Sequence, residues 1–183
     1  MPIGIKKDQE MLTDEQLRYL NRIPKDRIIN IYPFDPVKVE QISDSVLDRI
    51  RSSISEIWRV EFYGSSALGI SGQKDIEVMI LCPADLFPEY LPALIKEFGN
   101  SKPWTKGATS IGWEWEEDGY NVELYLADPD SKSTKEQLKV IEILKENREL
   151  LDEYENLKSS FDGKSYRDYQ KAKYKFYNRI LVK

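Results

Sequence analysis

Asp75 and Glu77 stand two residues apart at the head of the apolar run Ile76, Val78, Met79, Ile80, Leu81. In a strand, side chains alternate between faces, so Asp75 and Glu77 project to one side while Ile76, Val78 and Ile80 project to the other. Two convergent carboxylates on a rigid strand suit Mg2+ or Mn2+, hard cations that take oxygen ligands; Mg2+ usually keeps one or two carboxylates and completes its shell with phosphate oxygens. A phosphate cradle would have to lie close by. Just upstream, Gly64 would let backbone approach a ligand, Ser65 and Ser66 offer hydroxyls, and a helix opening there would aim its free N–H groups at an anion. Small residues, then acids, then an apolar strand fit a metal-bound nucleotide. Two acids at a strand head also fit a simple solvated strand end.

Composition removes much other chemistry. The chain has 183 residues, no histidine and one cysteine, Cys82. Ser-His-Asp and Cys-His catalysis, His-ligated zinc, Cys-based zinc sites and intrachain disulfides are therefore excluded, leaving carboxylates, lysines and hard cations. A 40% hydrophobic and 11% aromatic content argues for a folded core rather than disorder. The net charge of −5 argues against a generic nucleic-acid coat. The N-terminus lacks an apolar signal core and no window is long enough to span a membrane, so a cytosolic protein without membrane partners is expected.

The elements that must position the acids follow from periodicity. Thr13-Asp14-Glu15-Gln16 has capping-box spacing and opens a helix to about Asn21. Arg27–Tyr32 reads as a short strand closed by the Pro33-Phe34-Asp35-Pro36 turn, and Val37–Ile54 as an amphipathic helix. Trp58–Tyr63 is the strand that delivers Gly64. Pro83 and Pro88 bracket a loop, a helix covers Tyr90–Phe98, and Trp104 and Lys106 are candidate rim residues beyond it. The alternating runs on either side of Asp118-Gly119 predict a two-residue hairpin, in which Trp115 pairs with Val122 and Glu114 lies opposite Glu123. Like charges directly opposite are destabilising, so that pair needs solvent, a lysine or a cation beside it.

After Asp128-Pro129-Asp130 the chain turns helical and charged, with long helices over about Ser133–Leu157 and Ser165–Leu181. Lys158 and Lys173 each fall on the apolar stripe of their helix, four residues after Tyr154 and Tyr169. A lysine in that position either snorkels to water or meets an anion. Boundaries of composition suggest an N-terminal arm (1–26), a core (27–130) and a C-terminal helical lobe (131–183).

The order Gly64-Ser65 … Asp75-x-Glu77 resembles the signature of the polymerase-beta-like nucleotidyltransferase superfamily. Within it, the Tyr32-Pro33-Phe34-Asp35-Pro36 entry, the Gly64-Ser65-Ser66 turn with Lys74 ten residues on, and the closing Tyr154 … Lys158 … Tyr169 … Lys173 pattern are similar to the GrpB family, from about Ile28 to the C-terminus. The chain departs from common members in having Leu68-Gly69-Ile70-Ser71 after the turn, and Asn121-Val122-Glu123 where others carry histidines. The resemblance implies an α/β (α+β) fold with a small mixed sheet flanked by helices and two long C-terminal helices. It implies a Mg2+-bound nucleoside triphosphate, with Asp75 and Glu77 as metal ligands and Glu123, or else Glu114, as a third carboxylate. Gly64, Ser65, Ser66, Lys74, Lys158 and Lys173 would hold phosphate. The expected activity is nucleotidyl transfer from a nucleoside triphosphate to an unknown acceptor, a small molecule, RNA or protein. The alternatives are a module that binds nucleotide or a phospho-ligand without turnover, and an RNA- or protein-interaction domain.

Overall fold

A computed structural model describes residues 12–54, 58–102 and 107–182. In chain order the elements are α1 (Asp14–Arg22), α2 (Pro36–Ser53), β1 (Arg59–Tyr63), α3 (Gly64–Leu68), β2 (Asp75–Leu81), α4 (Phe87–Phe98), β3 (Ser110–Glu117), β4 (Tyr120–Ala127), α5 (Lys132–Glu146), α6 (Arg148–Ser160) and α7 (Tyr166–Leu181). Two compact units result: Pro33–Leu138, which contains the sheet, and the residues up to Tyr32 together with those from Lys139 onward.

The sheet has the order β1-β2-β4-β3. β1 runs antiparallel to β2, β2 parallel to β4, and β4 antiparallel to β3, so the sheet is mixed as expected. A tight turn can join β3 to β4 because Asp118 and Gly119 both take positive φ, 50° and 79°, the type I′ geometry that Asp-Gly favours. The register is the one read from the sequence, with Trp115 opposite Val122 and Glu114 opposite Glu123.

One face of this sheet is dry. Ile76, Val78 and Ile80 of β2, Val122, Leu124 and Leu126 of β4, and Ile111 and Trp113 of β3 are buried with Ile42, Val46 and Ile50 of α2 and Phe87, Tyr90 and Leu94 of α4. Each fully buried aliphatic side chain here stabilises the fold by about 1.5–3 kcal/mol relative to exposure. α2 begins where the prolines place it: Pro36 occupies the first turn, where its missing N–H is no loss, and Asp35 caps it by accepting from Lys38 N. Period-two alternation then puts Asp75, Glu77, Asn121 and Glu123 on the other face, which Met79 and Leu81 share as buried residues.

The second unit contains α1, α5 from Lys139 onward, α6 and α7. Thr13 and Gln16 form the expected capping box at the start of α1. Leu20, Ile23, Ile29, Tyr166 and Tyr169 form one buried cluster within this unit.

Three expectations about elements are corrected. Arg27–Tyr32 is not a sheet strand: Ile28 makes an isolated bridge to Ser165, while Ile29 N donates to Lys164 O and Tyr166 N to Arg27 O. Its backbone is satisfied by the loop before α7. The helix drawn over Ser133–Leu157 is two helices, because the Asn147 side chain accepts from Leu150 N and starts α6 as an N-cap. α4 starts before Tyr90, a 3-10 turn at Ala84–Leu86 leading into it, and Pro88 sits in its first turn rather than closing a loop. Trp104 and Lys106 lie outside the described residues. Among the described residues no helix is long and apolar enough to cross a membrane.

Candidate functional site

β2 and β4 are parallel neighbours, and residues paired in register share a face. Asp75 pairs with Asn121, Glu77 with Glu123 and Met79 with Tyr125. On the far side of β4, Asn121 pairs with Glu116, Glu123 with Glu114 and Tyr125 with Gly112. On the far side of β2, Glu77 pairs with Tyr63. Three carboxylates, Glu77, Glu123 and Glu114, therefore form one row across the face opposite the core, with Asp75 one step along β2. Asp75, Glu77 and Glu123 are half-buried and Glu114 is exposed.

The Gly64 turn closes on this row. β1 ends at Tyr63 and α3 starts at once on Gly64, whose φ of +74° is open to glycine and strained for other residues. A Cβ at Gly64 would overlap the Glu77 carboxylate. The missing side chain is thus what lets Glu77 reach the turn. α3, the helix that opens at this turn, is five residues long. Ser65 is buried, and the Ser66 hydroxyl donates to the carbonyl of Asp75 at 2.5 Å, tying the turn to the head of β2. Lys74 is exposed with φ 61°, and its carbonyl accepts from Asn121 N at 2.9 Å, which starts the β2–β4 ladder.

Glu123 is held on both oxygens. Asn121 Nδ2 donates to Oε1 at 3.3 Å, and the Tyr125 hydroxyl donates to Oε2 at 3.0 Å. Burial, and then the adjacent Glu123 charge, push the Tyr125 hydroxyl far above the usual phenol range, so it remains a donor. The Glu114–Glu123 pair has the lysine that like charges require: Lys102 Nζ lies 2.7 Å from Glu114 Oε2. Among the described residues, no group of three or more Asp, Glu, His or Cys side chains is disposed to hold one metal ion. Asp75 and Glu77, adjacent on one strand face, fit the two-carboxylate share of a Mg2+ or Mn2+ site that substrate phosphates would complete.

Lys158 and Lys173 belong to the helical unit. Lys158 is only 3% exposed. Its Nζ lies 5.3 Å from the Tyr154 ring centroid, and Lys173 Nζ lies the same distance from that of Tyr177. Both ammonium groups thus rest on aromatic faces. Sequence analysis assigns Asn121, Tyr125 and Gly112 no role at the site. The signal was present, since alternation along β4 and the Asp-Gly register place all three around Glu123.

The family model described as GrpB protein matches residues 29–183. Among solved structures, the chain is similar to the conserved protein GrpB from Enterococcus faecalis, at 15% identity and a TM-score of 0.61, covering 83% of this chain and 98% of that one. At that identity the likeness is one of fold. No curated protein matches the sequence.

Proposed function

The chain belongs to the GrpB family, and from that premise we propose that it is a nucleotidyltransferase of the polymerase-beta-like kind, using Mg2+ and a nucleoside triphosphate. The observation that carries the reading is the register of β2 against β4, which sets Glu123 beside Glu77 on the face where Asp75 also projects, next to the Gly64 turn. Asp75 and Glu77 would hold the cation. When bound, it would offset polyphosphate charge at the reacting phosphorus.

This chain's residues supply the rest. The Gly64 turn lets the Glu77 carboxylate lie against backbone, so phosphate oxygens on the cation that Glu77 holds would lie beside the turn. Glu123 takes the proton of the acceptor hydroxyl as its oxygen attacks the α-phosphorus. The new O–P bond forms while the bond to the bridging oxygen breaks, and pyrophosphate leaves. The Glu123 side chain is held by donors on both oxygens, which leaves it oriented but not buried.

A second reading is nucleotide binding without turnover. It is favoured by the fact that Glu77 and Glu123 do not close with a third acid on one point among the described residues. The two readings separate in an assay of pyrophosphate release from MgATP and MgGTP, with RNA and small polyols as acceptors, for wild type and Glu123→Gln. Transfer predicts release by the wild type that falls at least a hundredfold in the variant. Binding with no release by either protein leaves the second reading.

A further inference from the structure

We propose that Tyr125 is a positioning residue that, together with Asn121, aims the Glu123 carboxylate, and that Gly112 exists to admit it. The inference rests on the transfer reading above. Glu123 is flanked by Glu77 on β2 and Glu114 on β3, directly in register on both sides. Unopposed, those charges would turn its carboxylate toward solvent and leave it many rotamers. Instead each oxygen has one donor from its own strand, Asn121 Nδ2 at 3.3 Å and the Tyr125 hydroxyl at 3.0 Å. Lys102 draws Glu114 aside at 2.7 Å, so the charge on one flank is already answered.

The space for this arrangement is specific. A Cβ at Gly112 would lie 2.7 Å from Tyr125 Cε1 and 3.1 Å from Cδ1, closer than carbon atoms pack. Any other residue at 112 would push the ring along the sheet and carry the hydroxyl off Glu123. Gly112 itself is buried in mid-strand, where glycine is a weak choice for strand formation. Close approach of the Tyr125 ring accounts for it.

The test is steady-state pyrophosphate release by wild type, Tyr125→Phe and Gly112→Ala, with a second readout from the side-chain carboxyl 13C resonance of Glu123. Tyr125→Phe keeps the ring and removes one hydrogen bond to a charged group. Its kcat should fall about ten- to hundredfold, with KM for the magnesium nucleotide changed less than about twofold, because Asp75 and Glu77 are untouched. Gly112→Ala should give the same split although the tyrosine is still present, and the double variant should be no worse than the worse single one. The Glu123 resonance should move in both variants and stay in place in Tyr120→Phe. A Tyr125→Phe enzyme with unchanged kcat, or a Glu123 resonance that does not move, overturns the positioning role. A wild type that releases no pyrophosphate overturns the transfer reading itself, and the resonance distinguishes that failure from the first.

Discussion

Replacing Gly64 by alanine should do two separable things. The first is backbone strain: φ is +74°, and a left-handed conformation costs a non-glycine residue about 1–2 kcal/mol, offset by roughly 0.4–1 kcal/mol because alanine restricts the unfolded chain. The second is specific to this site, since the new Cβ takes the place of the Glu77 carboxylate. Gly119 isolates the first effect. Its φ is +79° and nothing lies within 4 Å of its would-be Cβ. Gly119→Ala should therefore cost about 1 kcal/mol, whereas Gly64→Ala should cost more by a coupling of about 0.5–3 kcal/mol, the range for groups in contact. In a Glu77→Ala background that excess should vanish. Urea melts of the four proteins in the Gly64/Glu77 cycle, with Gly119→Ala beside them, measure it. For a chain of this length each kcal/mol is worth about 2–4 °C in Tm. If Gly64→Ala costs no more than Gly119→Ala, and the coupling is below about 0.3–0.5 kcal/mol, the Glu77 carboxylate does not sit against the turn and the site geometry is wrong.

Stability should also fall on the alkaline side. Burial raises the Tyr154 and Tyr166 hydroxyls, with neighbouring tyrosines adding to it, so the folded state keeps protons that the unfolded chain loses. Their contribution is fully present below about pH 10, the ordinary tyrosine value, and is lost as pH rises toward the folded-state values. Denaturation midpoints from pH 8 to 11 should drop above pH 10, and the drop should be shallower in Tyr154→Phe; an unchanged slope would count against that burial. Trp113, 1% exposed, donates from Nε1 to Gly99 O at 2.9 Å and so ties β3 to the end of α4. Trp113→Phe should cost about 1–3 kcal/mol for the orphaned carbonyl alone, plus the lost volume, read as a lower urea midpoint with an unchanged m value.

The β-sheet was the legible part of the chain. Alternation along Asp75–Leu81 assigned Ile76, Val78 and Ile80 to the core and the acids to the other face, and Asp118-Gly119 set the register that brings Glu114 opposite Glu123. These are local signals with a period of two, and one turn fixes everything downstream. What stayed hidden depended on contacts distant in sequence. Arg27–Tyr32 is β-rich in composition, yet its hydrogen bonds go to Gly163, Lys164 and Tyr166, a pairing no local pattern announces. Asn147 lies in an otherwise unbroken helical stripe, and only its cap to Leu150 N reveals the break. By type alone Pro88 fits a loop boundary as well as a helix start, because the first helical turn needs no N–H from it. At the candidate site, type and spacing single out the acids, and the register places Glu77, Glu123 and Glu114 in one row. Asn121, Tyr125 and Gly112 were missed because their roles appear only when β3 and β4 are laid side by side.

The proposed function requires the acid face beside Gly64 to hold a metal-bound nucleotide. Calorimetric titration of MgATP and MgGTP into wild type and into an Asp75→Asn/Glu77→Gln variant, with circular dichroism confirming the fold of both, tests it most directly. The wild type should show saturable binding that requires Mg2+ and disappears in the folded variant. Equal binding by the two proteins, or no binding of either nucleotide by the wild type, would contradict it.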